Sequence, residues 1–469
     1  MNKKKIHPYL YIILSFVLII TVGTILLLLP FSYTADYRNN IFVGDYIANA
    51  FFMSSSAVCV TGLSVMPISV ADNMSLFGQI VMILLMEIGG LSIITIAVFF
   101  FTIIGAKIGI SNRFLLKESL NQNSLKGITS LVKSIVLLSV IVQAIGVLVN
   151  WYPLFEYSKY LGGGSGDVGK ALFMSIFHAA ASFNNAGFDI FGADGMLVFA
   201  SDAYMNYGLS FGSMLTINLS TMFMIITGGI GVVVLQDLFH SRFRWKKLKL
   251  HTKITIIATV ILVILGALLL KLTCLKMGWL EAFFTSITCR TAGFQTYRMS
   301  DLPAASAVIC MVLMIIGASP CSCGGGIKTT TFAIIVIAIY HYSIGKKTKA
   351  FYRGISDSQI FKAFVLTNVA IIISVLTTAI IVAIQPNFDL GDTAFEAVSA
   401  FSTTGLSRGI TTSLYIPNKV IVSFLMLFGR LGPLTVIGVI NKNWMSSSKE
   451  AIQYVEESVI IGWKRLLLS

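Results

Sequence analysis

The chain has 469 residues, of which 56% are hydrophobic and 12% charged, with a net charge of +14. A soluble domain carries about 25% charged residues. With a mean hydropathy of +0.85, a water-soluble fold could not hide its apolar surface, because much of any folded surface stays exposed. A soluble enzyme, a disordered chain and a protein with a single anchor are excluded. The long unbroken apolar runs do not alternate as a barrel's strands would, so the expected class is an all-α polytopic membrane protein.

Lys3, Lys4 and Lys5 precede a charge-free run from Tyr9 to Leu29, too long for a signal-peptide core and read as the first spanning helix. Eight runs are long enough to cross: 9–30, 76–105, 134–152, 208–236, 254–272, 303–343, 362–385 and 420–441. Short loops rich in Lys and Arg stay inside. The N-terminus, 106–133, 237–253, 346–362 and 442–469 hold 23 of the 34 basic residues and 6 of the 20 acidic ones. This predicts both termini in the cytoplasm, in a cytoplasmic-membrane protein. Topology accounts for the net charge, so nucleic-acid binding is not needed. The run from Arg242 to Lys249 reads first as a topology signal and also suits anionic lipid. Cys321 and Cys323 form a C-x-C with no His or Cys pair at zinc spacing, so no metal site or disulfide framework is expected.

Between spanning runs lie four shorter apolar stretches, 46–66, 171–188, 282–294 and 393–407. Their ends match: Ser56 to Leu63, Ala181 to Phe188, Ile287 to Phe294 and Ser399 to Leu406, with glycine at 62, 187, 293 and 405. Ten residues before each glycine stands a phenylalanine: Phe52, Phe177, Phe283 and Phe395. Four glycine motifs in register point to internal repetition. The expected unit is a half-length helix entering from outside, followed by an extended return. Irregular backbone at membrane depth survives only when buried in protein or lining a wet path. Four returns around one axis would pool carbonyls that replace a cation's hydration shell, faced by the negative ends of four half-helices. The residues expected to line such a filter are Val60, Thr61, Gly62, Asn185, Ala186, Gly187, Thr291, Ala292, Gly293, Thr403, Thr404 and Gly405. The full architecture is then four helix–pore-loop–helix repeats, eight spanning helices, in a pseudo-fourfold arrangement around one pore. The repeats would occupy 1–105, 106–236, 237–345 and 346–441, followed by a cytoplasmic tail at 442–469.

At these motifs the sequence resembles the Trk/Ktr/HKT superfamily of potassium transporters, and within it the KtrB-type membrane subunits of bacterial Ktr systems. The run Gly317-Ala-Ser-Pro-Cys-Ser-Cys-Gly-Gly-Gly-Ile-Lys328 carries the resemblance further. In that family it is an intramembrane gate loop breaking an inner helix below the filter. The resemblance implies potassium uptake with potassium at the filter residues, a homodimer, and a cytosolic ring of nucleotide-binding RCK-type regulatory subunits of the KtrA type. Sodium dependence is common in the family; no cofactor is implied in this chain. Glycine at 62, rather than serine, is the potassium-type pattern of the family.

The run 303–343 is too long for one straight helix across about 30 Å, and its middle contains Gly317, Ser319, Pro320, Gly324, Gly325 and Gly326. Proline removes a donor and clashes with the preceding turn, which predicts a break at 317–328. It is not a phosphate-binding loop, because Ile327 separates Gly326 from Lys328 and no strand precedes it. Arg430 lies mid-way in the last run, where a charge costs about 2.5–3.5 kcal/mol. Gly405 to Gly429 and Gly293 to Gly317 are both 24 residues, which sets Arg430 at the depth of the loop. It is expected to donate to loop carbonyls and to act, with Lys328, in the gate. Arg290 is expected to tie the third half-helix to a neighbouring acidic residue, and Glu87 to pair with a cavity cation. Glu396 and His178 are expected to support the filter from behind, and Asp45 and Asp392 to be N-caps. A proton- or sodium-coupled carrier would need an ionisable relay, for which Glu87 alone is thin. A membrane-embedded enzyme such as a lipid-modifying transferase would need a His-carboxylate cluster or paired carboxylates, and none is found.

Overall fold

The computed structural model describes residues 8–92, 95, 96, 99 and 128–432. The Lys3–Lys5 cluster, most of the 106–133 segment and the tail at 442–469 lie outside the described residues. The fold is helical. Five helices are long and apolar enough to cross a membrane among the described residues: spans within α1 (Pro8–Leu28), α4 (Ile128–Leu161), α6 (Phe211–Gly229), α8 (Leu250–Thr273) and α12 (Asp357–Ile384). Their outward faces are apolar: Leu18 on α1, Leu148 on α4, Leu272 on α8 and Val375 on α12 are all more than half exposed. Patches of that size on a water-soluble surface would aggregate, whereas lipid accommodates them.

Between these helices sit four short ones whose C-terminal turns are buried: α2 (Val43–Val58), α5 (Val168–Phe183), α9 (Trp279–Thr288) and α13 (Leu390–Ser402). At 1.5 Å per residue, none exceeds about 24 Å, too short to cross. Local sequence starts them: Asp167 accepts from Lys170 N at 3.0 Å, and Asp389 from Gly391 N at 2.8 Å. The cap of α13 is therefore Asp389, not Asp392, which instead pairs with Arg408 at 2.5 Å. Asp45 is likewise inside the first turn of α2 after Phe42, and it binds Lys419 at 2.9 Å across to the other end of the chain.

Four further helices follow the returns: α3 (Leu76–Leu91), α6, α10 (Ala304–Ile315) and α14 (Ile416–Leu431). Each half-helix packs on the long helix before it, α2 on α1, α5 on α4, α9 on α8 and α13 on α12. Each following helix also touches the next half-helix: α3 with α5, α6 with α9, α10 with α13, and α14 back to α2. The sequence of contacts closes on itself.

The apolar run 208–236 is not one helix. It breaks at Ile230 and Gly231 (φ +89), and α7 (Val232–His240) continues. α3 likewise ends at Ser92 (φ +69) and α14 at Gly432 (φ +78). A glycine sits three residues before each break: Gly89, Gly228 and Gly429. A methyl group there would strike the carbonyl of Val58, Phe183 or Phe401, each four residues before a return glycine. Only a bare backbone fits. The run 303–343 is divided as expected, into α10 and α11 (Thr329–Ser343). Beyond α11 a two-stranded hairpin, β1 (Lys349–Ala350) and β2 (Arg353–Gly354), leads to α12.

Gly266 on α8 provides a direct check on this packing. A methyl there would meet Ser286 Oγ and lie 2.9 Å from Leu313 Cδ1. Gly266→Val is expected to destabilise the fold by about 1–3 kcal/mol through overpacking, read as a lower melting temperature of the detergent-solubilised protein.

Candidate cation-binding site

The four return segments meet at one place. A methyl added to Gly62 would strike Ala186 O, one on Gly187 would lie 2.6 Å from Ala292 O, one on Gly293 would strike Thr404 O, and one on Gly405 would strike Thr61 O. Each glycine thus packs on the carbonyl one residue before the next glycine, in the cyclic order 62, 187, 293, 405. All four have positive φ, between +66° and +92°. So do the residues two positions earlier: Val60 (+58), Asn185 (+58), Thr291 (+71) and Thr403 (+52). Three of these are β-branched, for which this region is a genuine outlier. Such conformations cost about 1–3 kcal/mol each and persist only where the surroundings over-determine them.

The amides of the returns are engaged with their own half-helices. Thr61 N donates to Ser56 O (2.8 Å), Ala186 N to Ala181 O (2.7 Å), Thr404 N to Ser399 O (2.9 Å) and Ala292 N to Thr288 O (2.9 Å). Gly62 N and Gly405 N donate further to the hydroxyls of Ser56 (3.2 Å) and Ser399 (3.1 Å). The third return differs by one residue, since Ala292 reaches four positions back where the others reach five. Phe283 consequently faces outward, 37% exposed, and Phe284 takes the fully buried place that Phe52, Phe177 and Phe395 occupy elsewhere.

On one side of the ring lies a cavity of about 360 Å³ lined by the four glycines with Ser64, Asp189, Gln295 and Ser407. Burial lifts the Asp189 carboxyl to about 6, against the lowering effect of the Phe191 amide bonded to it. Nearby Asp194 is compensated by Tyr207 (2.7 Å) and Arg298 (3.2 Å). On the other side, a cavity of about 160 Å³ is lined by Ser92, Thr227, Cys321, Ser322, Lys328 and Arg430.

The loop 317–328 lies between the ring and this second cavity. Ser319 N and Cys323 N donate to the carbonyls of Gly229 (3.0 Å) and Gly228 (3.2 Å) at the α6 break, and Val232 N returns a bond to Cys321 O. Gly325 N donates to Thr403 Oγ1 at 3.0 Å, and a methyl on Gly324 would strike Thr291 Oγ1. Gly326 has φ +67, and Pro320 O abuts Gly231. Lys328 does not reach outward along the helix: its Nζ folds back on Gly324 O at 2.6 Å. Arg430 donates to Cys323 O in the loop and to Gly89 O (2.5 Å) and Gly90 O (3.1 Å). Gly317 and Gly429, although equally spaced from their return glycines, have different surroundings: Gly317 faces Gly325 O and Gly429 faces Phe401 O.

Two side chains depart from expectation. Among the described residues Arg290 binds no carboxylate; its Nη2 donates to Thr329 Oγ1 at 3.0 Å. Glu87 pairs with no cavity cation among the described residues, and Asn184 Nδ2 donates to it at 2.9 Å instead. His178 and Glu396 are fully buried behind the returns, His178 against Thr221 (2.7 Å) and Glu396 against Thr411. Sequence reasoning missed the serine clamps, the three glycine seats and Thr329. The seats were legible as a repeated signal, since Gly89, Gly228 and Gly429 each precede a Ser or Gly by three residues.

Long apolar helices, half-length helices and irregular returns define a helical polytopic membrane protein. A family model described as TrkH, cation transport protein, matches residues 8–449. The chain is similar to the potassium/sodium uptake protein NtpJ of Enterococcus hirae, 32% identical over 98% of each chain. It is similar to the Ktr system potassium uptake protein B of Bacillus subtilis, 33% identical over 98% of this chain and 97% of that one. Its fold is similar to the crystal structure of the potassium transporter TrkH from Vibrio parahaemolyticus, with a TM-score of 0.69 at 18% identity over 95% and 87% of the two chains. The chain belongs to the TrkH family of cation transport proteins, and it is a transporter rather than an enzyme.

Proposed function

We propose that this chain is the membrane subunit of a potassium uptake system, passing potassium through a filter of carbonyls at Val60–Gly62, Asn185–Gly187, Thr291–Gly293 and Thr403–Gly405. One observation carries the reading: the cyclic packing of each return glycine on the carbonyl before the next, with the amides bonded outward to the half-helices. Carbonyls freed from internal bonding replace a cation's hydration shell. The names of the Ktr-system and TrkH relatives supply potassium as the ion. The four sets of helices at 1–105, 106–236, 237–345 and 346–441 then act as helix–pore-loop–helix repeats, eight spanning helices around one pore. The loop 317–328, with Gly317, Ser319, Pro320, Gly324, Gly325, Gly326 and Lys328, is its gate, and Arg430 places a positive barrier beneath it. In this reading the subunit forms a homodimer in the cytoplasmic membrane with its termini inside. A cytosolic nucleotide-binding ring regulates it, in keeping with relatives named as part of a Ktr system.

A second reading, in which sodium is also carried, is favoured by the name of the E. hirae relative. Ion-competition flux in proteoliposomes separates the two. In Gly62→Ser a side chain is forced at φ +92 against Ala186 O, and the potassium-over-sodium preference is expected to fall about tenfold for a loss of about 1.4 kcal/mol. An unaltered preference would remove the filter assignment.

Arg430→Gln keeps a donor and removes the charge; potassium flux is expected to rise about tenfold where a barrier of about 1.4 kcal/mol is lifted. Equal flux in wild type and variant would remove the barrier role. The Asp189 carboxyl is charged above about pH 6 and neutral below it. Apparent potassium affinity is therefore expected to weaken as the outside pH is lowered from 7.5 to 5.5, and in Asp189→Asn to be weak and flat with pH.

A further inference from the structure

Arg290 is 7% exposed and its guanidinium has no carboxylate within reach among the described residues. The cavity beside it, shared with Gly229, Thr259 and Ile287, is only about 10 Å³, which is about one water and no counter-anion. A buried charge so weakly compensated is costly. What it does touch is specific. Arg290 Nη2 donates to Thr329 Oγ1 at 3.0 Å, and the Thr329 hydroxyl donates to Gly317 O at 2.9 Å. The Thr329 amide donates to Ala318 O at 3.2 Å, and Ile327 N to Ile315 O at 3.2 Å. Thr329 is therefore the clasp that holds the two ends of loop 317–328 together. Arg290 immediately precedes Thr291, whose strained backbone (φ +71) begins the third return and whose Oγ1 leaves no room for a side chain at Gly324.

We propose that Arg290 is the positioning residue that couples the third filter segment to the neck of the gate loop, through the one-way chain Arg290 N–H to Thr329 O–H to Gly317 C=O. The inference rests on the filter and gate reading above and adds its regulation. Parting the neck breaks the acceptor that Arg290 uses, so the guanidinium and the peptide after it lose their anchor. Closing the neck restores it. The hydroxyl is essential, since it alone both accepts from Arg290 and donates to Gly317. A threonine-sized apolar group would fill the space and transmit nothing.

The test is potassium and sodium flux in proteoliposomes holding the full chain, with melting temperature measured alongside. Thr329→Val is expected to lower potassium-over-sodium preference about tenfold, because a buried charged hydrogen bond is lost. Thr329→Ser is expected to restore it. Arg290→Gln is expected to match Thr329→Val, and the double variant to be no worse than either single one. Wild-type selectivity in Thr329→Val, a Thr329→Ser as impaired as Thr329→Val, or additive losses in the double variant would each overturn the coupling. A wild-type chain that carries no potassium would instead overturn the function reading itself.

Discussion

The structure depends on one constraint: in lipid, every peptide group must find a partner within the protein. A full-length helix meets it alone. A helix that stops half-way does not, and among the described residues four do so. Their last turns are closed by their own returns, which fold the amides of Thr61, Ala186, Ala292 and Thr404 back onto carbonyls four or five residues earlier. Left over are carbonyls with no donor on their own strand. The fold gathers these remainders in one place instead of distributing them.

Gathering them requires close approach, and close approach requires the absence of side chains. The return glycines let neighbouring segments touch, while Gly89, Gly228 and Gly429 let the following helices seat on half-helix carbonyls. The loop at 317–328 uses the same device at Gly324 and Gly325, pressed against Thr291 and Thr403. Packing of this density is rigid, which is how β-branched residues such as Val60 and Thr403 are held in left-handed backbone. The surplus donors are supplied by charge. Arg430 answers carbonyls from α3 and from the loop together, joining the first, third and fourth parts of the chain.

Much of this was legible in the sequence, because bilayer thickness and the glycine repeat are both one-dimensional signals. The half-helices, the break after α10 and the depth of Arg430 follow from run lengths and spacing. Other features depend on chain geometry that spacing does not encode. The break at Gly231 falls inside a run with no proline and strong hydropathy; it is set by the loop that inserts there through Ser319 and Cys323. The phenylalanine register fails at Phe283 because the third return turns one residue tighter. Among the described residues Arg290 has no acidic neighbour, and the hydroxyl that serves it is 39 positions away in the chain, where spacing gives no sign of it. Glu87 was visible as an outlier, but its partner Asn184 lies 97 positions on.

The two cavities have a consequence for voltage. Space of about 360 Å³ reaches the four returns from one side, and space of about 160 Å³ reaches loop 317–328 from the other, so the returns and the loop together form the layer between them. An electric field concentrates in the low-dielectric part of its path, so the transmembrane potential falls mainly across that layer. At about 2.3 kcal/mol per unit charge per 100 mV, a cation on the proposed path would receive most of its electrical driving force within the returns and loop 317–328.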